Sequence, residues 1–216
     1  PVSTMAIDTW GVDGAFIGAR HSLLGLPYGY RDFTVATMNA CLDEFGAETL
    51  YGITGIQFMP FNTVFQFYRH VRTKDPLLRV AKRFLFIPDY LRFLFTGKLH
   101  TEYTIASTSQ MLDARTRRWS PAVLAKLGLK ERMLGELVEP GTVCGCIEGT
   151  RIKAIATAGH DTGAAVLSVP AAPADGAWAW LSSGTWSIIG IETGEPIITD
   201  MGRAKNFANE GGAGGT

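Results

Sequence analysis

The feature that most constrains this chain is a strand-like run that ends on a glycine and restarts as a helix. Ile152, Lys153, Ala154, Ile155, Ala156, Thr157 and Ala158 make an apolar stretch, and Gly159-His160-Asp161-Thr162-Gly163-Ala164-Ala165 follows at once. The first run suits a buried strand, the glycine a tight turn, and Asp161 the start of a helix. A second turn, Leu181-Ser182-Ser183-Gly184-Thr185-Trp186-Ser187, lies between two more strand-like runs. The pattern predicts an α/β protein. A carboxylate at a strand-to-helix turn, close to a small Ser/Gly/Thr loop, suits transfer of a phosphoryl group to a hydroxyl. The carboxylate takes the proton, and the loop's hydroxyls and amides hold phosphate oxygens. The alternatives remain a plain helix cap at Asp161 and a tight hairpin at Gly184-Thr185.

The rest of the chain supplies a core around these turns. At 46% hydrophobic and 19% charged residues, the composition allows a sizeable apolar interior. Lys+Arg and Asp+Glu are equal at 20 each, so no global basic field recruits nucleic acid or anionic lipid. No apolar run has the length of a membrane span, and the first residues lack the pattern of a secretory signal, so a cytoplasmic location is expected. The three cysteines, Cys41, Cys144 and Cys146, are an odd and sparse set that suits a reducing compartment. Cys144 and Cys146 lack a second pair at zinc spacing and are read as loop thiols.

Residues 4–18 predict two strands around the turn Asp8-Thr9-Trp10-Gly11-Val12-Asp13-Gly14, with an indole face, two carboxylates and two glycines on offer to a ligand. An ordinary hairpin corner is the alternative. Helices are expected over 34–48, 62–71, 77–86 and 90–95, with breaks at Gly52, Gly55 and Pro60. Another helix starts at Ser120-Pro121, a cap followed by a proline at the first position, and runs to Leu127. The basic stretch 69–98 reads as solvated helix faces, His70 and His100 as surface residues, and Phe84, Phe86, Tyr90, Phe93 and Phe95 as core. Residues 102–111 are small and polar and suit either a pocket lining or a loop over the core. Strands are expected over 152–158, 177–182 and 185–192. The change from helices to strands near Glu139-Pro140-Gly141 divides the chain into 1–145 and 146–216. Pro1 opens the chain and a glycine-rich run, 211–216, ends it, so an internal piece of a longer protein is expected.

Several stretches in this order resemble the FGGY carbohydrate kinases, and within them the rhamnulokinase branch. They are Ile7-Asp8-Thr9-Trp10-Gly11-Val12-Asp13, Leu26-Pro27, Tyr30-Arg31-Asp32, the run 54–63, Pro88-Asp89-Tyr90, the run 94–98, Glu102-Tyr103-Thr104, Gly159-His160-Asp161-Thr162, the run 182–187 and Asn209-Glu210-Gly211-Gly212. The resemblance implies an actin-like architecture of two ribonuclease-H-like α/β domains, with the site in the cleft between them. It implies ATP and Mg2+ as cofactors and a ketose as acceptor, L-rhamnulose in this branch. By resemblance Asp161 is the catalytic base. Trp10, Gly11, Asp13, His160 and Thr162 line the sugar, and Gly184 and Thr185 face the ATP phosphates. No protein metal ligand is assigned.

Two departures from the family pattern carry expectations of their own. Gly14 stands where the branch usually has Phe, which is expected to enlarge the sugar pocket. The resemblance covers about half of a family member, without the first phosphate loop or the adenosine-binding glycine motif, so the 216 residues alone are expected to be inactive. A related kinase of fuculose, ribulose or xylulose is the near alternative. A non-catalytic sugar-binding module is the distant one, and a hydrolase using Asp161 and His160 is weaker still.

Overall fold

The computed structural model describes residues 1–171 and 178–215. A three-stranded sheet carries the strand-to-helix turn. Its strands are β1 (Thr4–Met5), β8 (Val143–Cys146) and β9 (Lys153–Ile155), in the order β1-β9-β8. β1 runs parallel to β9, and β8 antiparallel to it. The strand β2 (Gly14–Ile17) pairs elsewhere, antiparallel with β3 (Arg83–Phe86). The two strands expected around residues 8–13 therefore exist, but they belong to different sheets, and the segment between them crosses from one to the other rather than forming a hairpin corner.

Helices cover the β2–β3 pair. α1 (Val35–Phe45) is capped by the Thr34 hydroxyl, which accepts from the Thr37 amide, and it buries Cys41 and Phe45. α2 (Ala47–Thr54) follows; Gly52 lies inside it and does not break it. α3 (Thr63–Arg72) is buried along most of its length, through Val64, Phe65, Phe67 and Tyr68. The third expected helix ends early. α4 (Pro76–Val80) stops at Ala81, and residues 83–86 are strand β3. Its Phe84 and Phe86 still enter the core, where the Phe16, Phe67 and Phe84 rings meet edge to face at 4.9–5.6 Å. α5 (Ile87–Thr96) continues directly from β3.

Residues 102–111, expected to line a pocket or to loop over the core, are buried throughout. β4 (Thr101–Glu102) leads into α6 (Tyr103–Ser107), and every residue of both is buried. β4 pairs in parallel with β7 (Leu137–Val138). β5 (Leu112–Asp113) and β6 (Arg118–Trp119) form a short antiparallel pair. α7 (Pro121–Leu127) begins as expected, with the Ser120 hydroxyl accepting from the Val123 amide, and buries Val123, Leu124 and Leu127.

The chain then returns to the first sheet. The expected division at 145/146 falls inside β8, and Cys144 and Cys146 are strand residues rather than loop thiols, one buried and one exposed. α8 (Asp161–Leu167) leaves β9 at the glycine turn. It lies against β10 (Trp180–Ser183), which forms an antiparallel hairpin with β11 (Ser187–Gly190). Residue 177, where the first of these strands was expected to begin, lies outside the described residues, as does Thr216. α9 (Asp200–Ala204) packs on α2. None of the described helices is long and apolar enough to cross a membrane.

Two side chains expected at the surface are buried, and a third is half-buried. His70 is 4% exposed, its Nδ1 2.7 Å from Asp75 Oδ2, and burial pushes its pKa down. Arg92 is 3% exposed and donates to Asp89 at 2.7 Å. His100 is half-buried. Each is amphipathic enough to enter an interior once a partner or packing surface is supplied by residues elsewhere.

Candidate functional site

Two backbone turns meet to form the site. Thr9 N donates to Gly159 O at 3.0 Å, and Asp161 N donates to Thr9 O at 2.8 Å, a parallel bridge that joins Thr9 to His160. This bridge extends the β1–β9 pairing past the sheet, so the Trp10-Gly11 turn and the His160-Asp161 turn emerge side by side.

Asp161 is the first residue of α8, with His160 as its cap residue. Its Oδ1 accepts from Thr162 N at 2.7 Å and lies 3.4 Å from the Thr162 hydroxyl and from His160 Nε2. Oδ2 accepts no hydrogen bond among the described residues, and the side chain is 55% exposed. One carboxylate oxygen is thus held by the chain while the other faces out.

The His160 ring is largely enclosed, with Nδ1 2.8 Å from Glu210 Oε2. Burial alone would lower its pKa. The Glu210 charge and hydrogen bond, with Asp161 and Glu102 nearby, outweigh burial and raise it. Burial correspondingly pushes the Glu210 carboxyl up, and His160 outweighs that and lowers it.

The other wall is the Trp10 turn. The Trp10 indole donates to Asp13 Oδ2 at 2.9 Å, and the side chain remains half exposed, so its ring face is open to a ligand. Asp13 is 2% exposed. Its Oδ2 also accepts from Tyr30 N at 2.9 Å, and its Oδ1 from Gln66 Nε2 at 3.0 Å. Burial raises its pKa against those hydrogen bonds. Asp13 is therefore occupied in fixing the turn, and the structure places Trp10 rather than Asp13 at the surface of the site.

Val12 between them has φ +66°, a left-handed backbone that a β-branched residue rarely adopts. Buried hydroxyls hold it there. Val12 N donates to Thr108 Oγ1 at 3.1 Å, and Thr63 Oγ1 donates to Val12 O at 2.6 Å. Strain of this kind persists only where the surroundings enforce it. Gly11 sits close above; a Cβ there would lie 3.3 Å from Thr108 and 3.4 Å from His160 Cδ2.

Gly14, expected to enlarge the pocket, does not. A Cβ at Gly14 would fall 2.3 Å from the Phe84 ring, so Phe84 already fills the space in the core.

Gly184 and Thr185 form the turn of the β10–β11 hairpin, closed by Gly184 N donating to Trp186 O at 2.8 Å. The turn is exposed, and Thr185 makes no hydrogen bond among the described residues. The next ring, Trp186, lies 6.0 Å from Phe61, which lies 5.4 Å from Tyr30 above Asp13. The hairpin is thus tied to the Trp10 side through aromatic contacts, not hydrogen bonds.

Two supporting carboxylates carry functions that sequence reading did not separate from their motifs. Glu102 is fully buried and accepts from four donors: Thr104 N, Thr104 Oγ1, Ile105 N and Gly159 N, the last at 2.8 Å. It caps α6 and fixes the glycine turn in one contact set. Glu210 holds His160 from fifty residues away.

Residues 2–175 match the model of the N-terminal domain of the FGGY family of carbohydrate kinases. The chain is 45% identical over 224 aligned positions to a rhamnulokinase of Bacteroides thetaiotaomicron, covering all of this chain and 46% of that protein. It therefore spans about half the length of the curated relative. Among solved structures, a carbohydrate kinase from Novosphingobium aromaticivorans matches with a TM-score of 0.76 at 23% identity, over 92% of this chain and 44% of that one. A ligand-bound xylulose kinase from Lactobacillus acidophilus matches with a TM-score of 0.67 at 21% identity, over 73% of this chain and 34% of that one. These likenesses show the α/β sugar-kinase fold that the sequence resemblance implied.

Proposed function

The chain belongs to the FGGY family of carbohydrate kinases, and on that premise we propose that it supplies the acceptor site and catalytic base of an ATP-dependent ketose kinase, with L-rhamnulose as the acceptor. The observation that carries this reading is the outward-facing Asp161 Oδ2 and the exposed Trp10, carried on two turns that the Thr9–His160 backbone bridge joins. An apolar ring beside a carboxylate suits a sugar, which offers C–H faces and hydroxyls together.

In this reading the acceptor hydroxyl lies within hydrogen-bond reach of Asp161 Oδ2, which takes its proton as the oxygen attacks phosphorus in line. His160 Nε2 and the Thr162 hydroxyl orient the sugar, and Gly11 leaves room for it against His160. Among the described residues no group bonds to the Thr185 hydroxyl, which fits a contact to nucleotide phosphate. The described residues contain no cluster of three or more His, Cys, Asp or Glu able to hold a metal. Bound ATP with magnesium supplies the phosphoryl group and neutralises its charge; the residues here bind, orient and move one proton.

The test is a coupled ADP-release assay on the full reading frame that encodes this chain, with L-rhamnulose, L-fuculose, L-ribulose and D-xylulose in parallel. Fastest turnover is expected on L-rhamnulose. A different preferred ketose would overturn the acceptor assignment, and silence on all four from a folded protein would favour a sugar-binding module.

Gly11→Ala tests the sugar side separately. Its Cβ must displace Thr108 or His160 by a few tenths of an ångström. A misplacement of 1 Å costs about a hundredfold, so a loss of roughly tenfold in kcat/KM for the ketose is expected, with an unchanged unfolding midpoint. Steady-state kinetics with wild-type values would remove Gly11 from the acceptor site.

A further inference from the structure

Glu210 reaches the site from a segment that is pinned on both sides. Asn206 Oδ1 accepts from Phe58 N at 2.7 Å, and Asn206 Nδ2 donates to Phe58 O at 3.3 Å. Asn209 donates to Gly55 O from its backbone N at 2.9 Å and from Nδ2 at 3.0 Å, and its Oδ1 accepts from Ile197 N at 2.6 Å. Beyond Glu210, Gly211 N donates to Ser107 Oγ at 2.9 Å. Gly211 lies so close on the Tyr103 ring that a Cβ would come within 2.4 Å of it. The backbone around Glu210 is therefore fixed to α2, to the 55–58 turn and to α6, and its carboxylate meets His160 Nδ1 at 2.8 Å.

An imidazole can flip and can carry its proton on either nitrogen, and a carboxylate at one nitrogen removes both freedoms. We infer that Glu210 is a positioning residue of the transfer site: it holds the His160 ring with Nδ1 donating to Glu210 and Nε2 turned toward Asp161 and the acceptor sugar. This inference rests on the kinase reading above. Its physical content is a line of three groups, Glu210 Oε2, the His160 ring and Asp161 Oδ1, with separations of 2.8 and 3.4 Å. Nε2–H then faces Asp161 Oδ1, and Oδ2 stays free for the acceptor hydroxyl. Glu210 touches neither sugar nor phosphate; it acts through His160.

The ionisable groups that face the ring are Glu210 from the late segment, Asp161 from α8 and Glu102 from β4, all carboxylates. Together they favour the ring with both nitrogens protonated. Replacing Glu210 removes the largest opposing influence to burial, so the His160 titration should move down in pH.

The experiment uses the full reading frame as wild type, Glu210→Gln and Glu210→Ala. Supporting results are a fall in kcat of roughly 10- to 100-fold in Glu210→Gln, the range for partners that orient an active group, with ketose KM little changed, together with a lower His160 midpoint in ring-nitrogen NMR titration. Glu210→Ala should lower kcat at least as far. A purely structural role would instead lower the unfolding midpoint and leave kcat per folded enzyme and the His160 titration unchanged; that result overturns the inference. Wild-type turnover with an unaffected Glu210→Gln variant overturns the inference alone. A wild type that phosphorylates no ketose overturns the kinase reading beneath it, and the inference with it.

Discussion

In the full reading frame that encodes this chain, Asp161→Asn should lower ketose turnover by roughly two to four decades, the contribution typical of a general base, while leaving the fold intact. The substitution is close to isosteric. The amide oxygen of Asn can keep the contact that Oδ1 makes with Thr162 N at 2.7 Å, and the backbone bond from residue 161 N to Thr9 O at 2.8 Å does not involve the side chain. The outward position changes from a carboxylate oxygen to an NH2 group, which donates where the reaction needs an acceptor. With the side chain 55% exposed, nothing buried loses a partner, so chemical unfolding should coincide with wild type. Ketose KM should also change little, because the proton moves only as the transition state forms. Asp161→Glu should fail similarly: the extra methylene displaces the carboxylate, and a displacement near 1 Å costs about a hundredfold. Single-turnover kinetics with saturating nucleotide and ketose check both variants. Near-normal turnover in Asp161→Asn would reduce Asp161 to a residue that opens a helix.

The position of Asp161 was legible in the sequence because its signals are local. An apolar run, a glycine and an aspartate at a helix start are all contained within 152–165, and the structure forms β9, the turn and α8 there. Ser120-Pro121 was legible for the same reason. The misreadings have a common cause in the tertiary structure. Residues 83–86 carry apolar side chains that suit helix or strand alike, and pairing with β2 decides for strand. Gly52 weakens a helix without ending it, and α2 continues because Leu50, Tyr51 and Thr54 are buried. The segment 8–13 looks like a hairpin corner until β1 and β2 find different partners.

The polar interior was the least legible part. A buried charge is stable only with a partner, and the partners here lie far off in sequence: Glu102 with Gly159, Asp13 with Gln66, His160 with Glu210. No periodicity records such a pair. The family resemblance marked the motifs containing Glu102 and Glu210, but it did not distinguish a group that touches substrate from one that holds another residue in place. Asp13 shows the difference. Grouped with the sugar-lining residues by resemblance, it is consumed by Trp10, Tyr30 and Gln66.

Arg92→Met should cost about 3–5 kcal/mol of stability, the range for removing one partner of a buried ion pair. Arg92 and Asp89 side chains are 3% and 0% exposed, and their 2.7 Å contact is the charge pairing of that interior. Without Arg92, the Asp89 carboxylate keeps, among the described residues, only the Glu102 amide, at 3.1 Å to Oδ1 and 3.3 Å to Oδ2. The sign of the pH dependence follows. Burial pushes the Asp89 carboxyl up to about 7, with Arg92 opposing that rise. An acid whose folded pKa lies above its unfolded value of 3.8 costs nothing below that value, and its cost is complete above the folded pKa. Removing Arg92 lifts the folded value further. The variant should therefore lose most stability relative to wild type at alkaline pH and regain part of it as pH falls toward 7, because its Asp89, with the higher folded pKa, protonates before that of wild type. Replacing both partners, Asp89→Leu with Arg92→Met, should be milder than Arg92→Met alone, since no charge is left buried. Urea unfolding of wild type and the two variants across pH 6 to 9 checks the order. The single variant should also disturb the site, because Asp89 receives the Glu102 amide and Glu102 in turn receives Gly159, the residue before His160. An equal loss at every pH, or a double variant worse than the single, would mean that Arg92 stabilises by packing its stem rather than by pairing its charge.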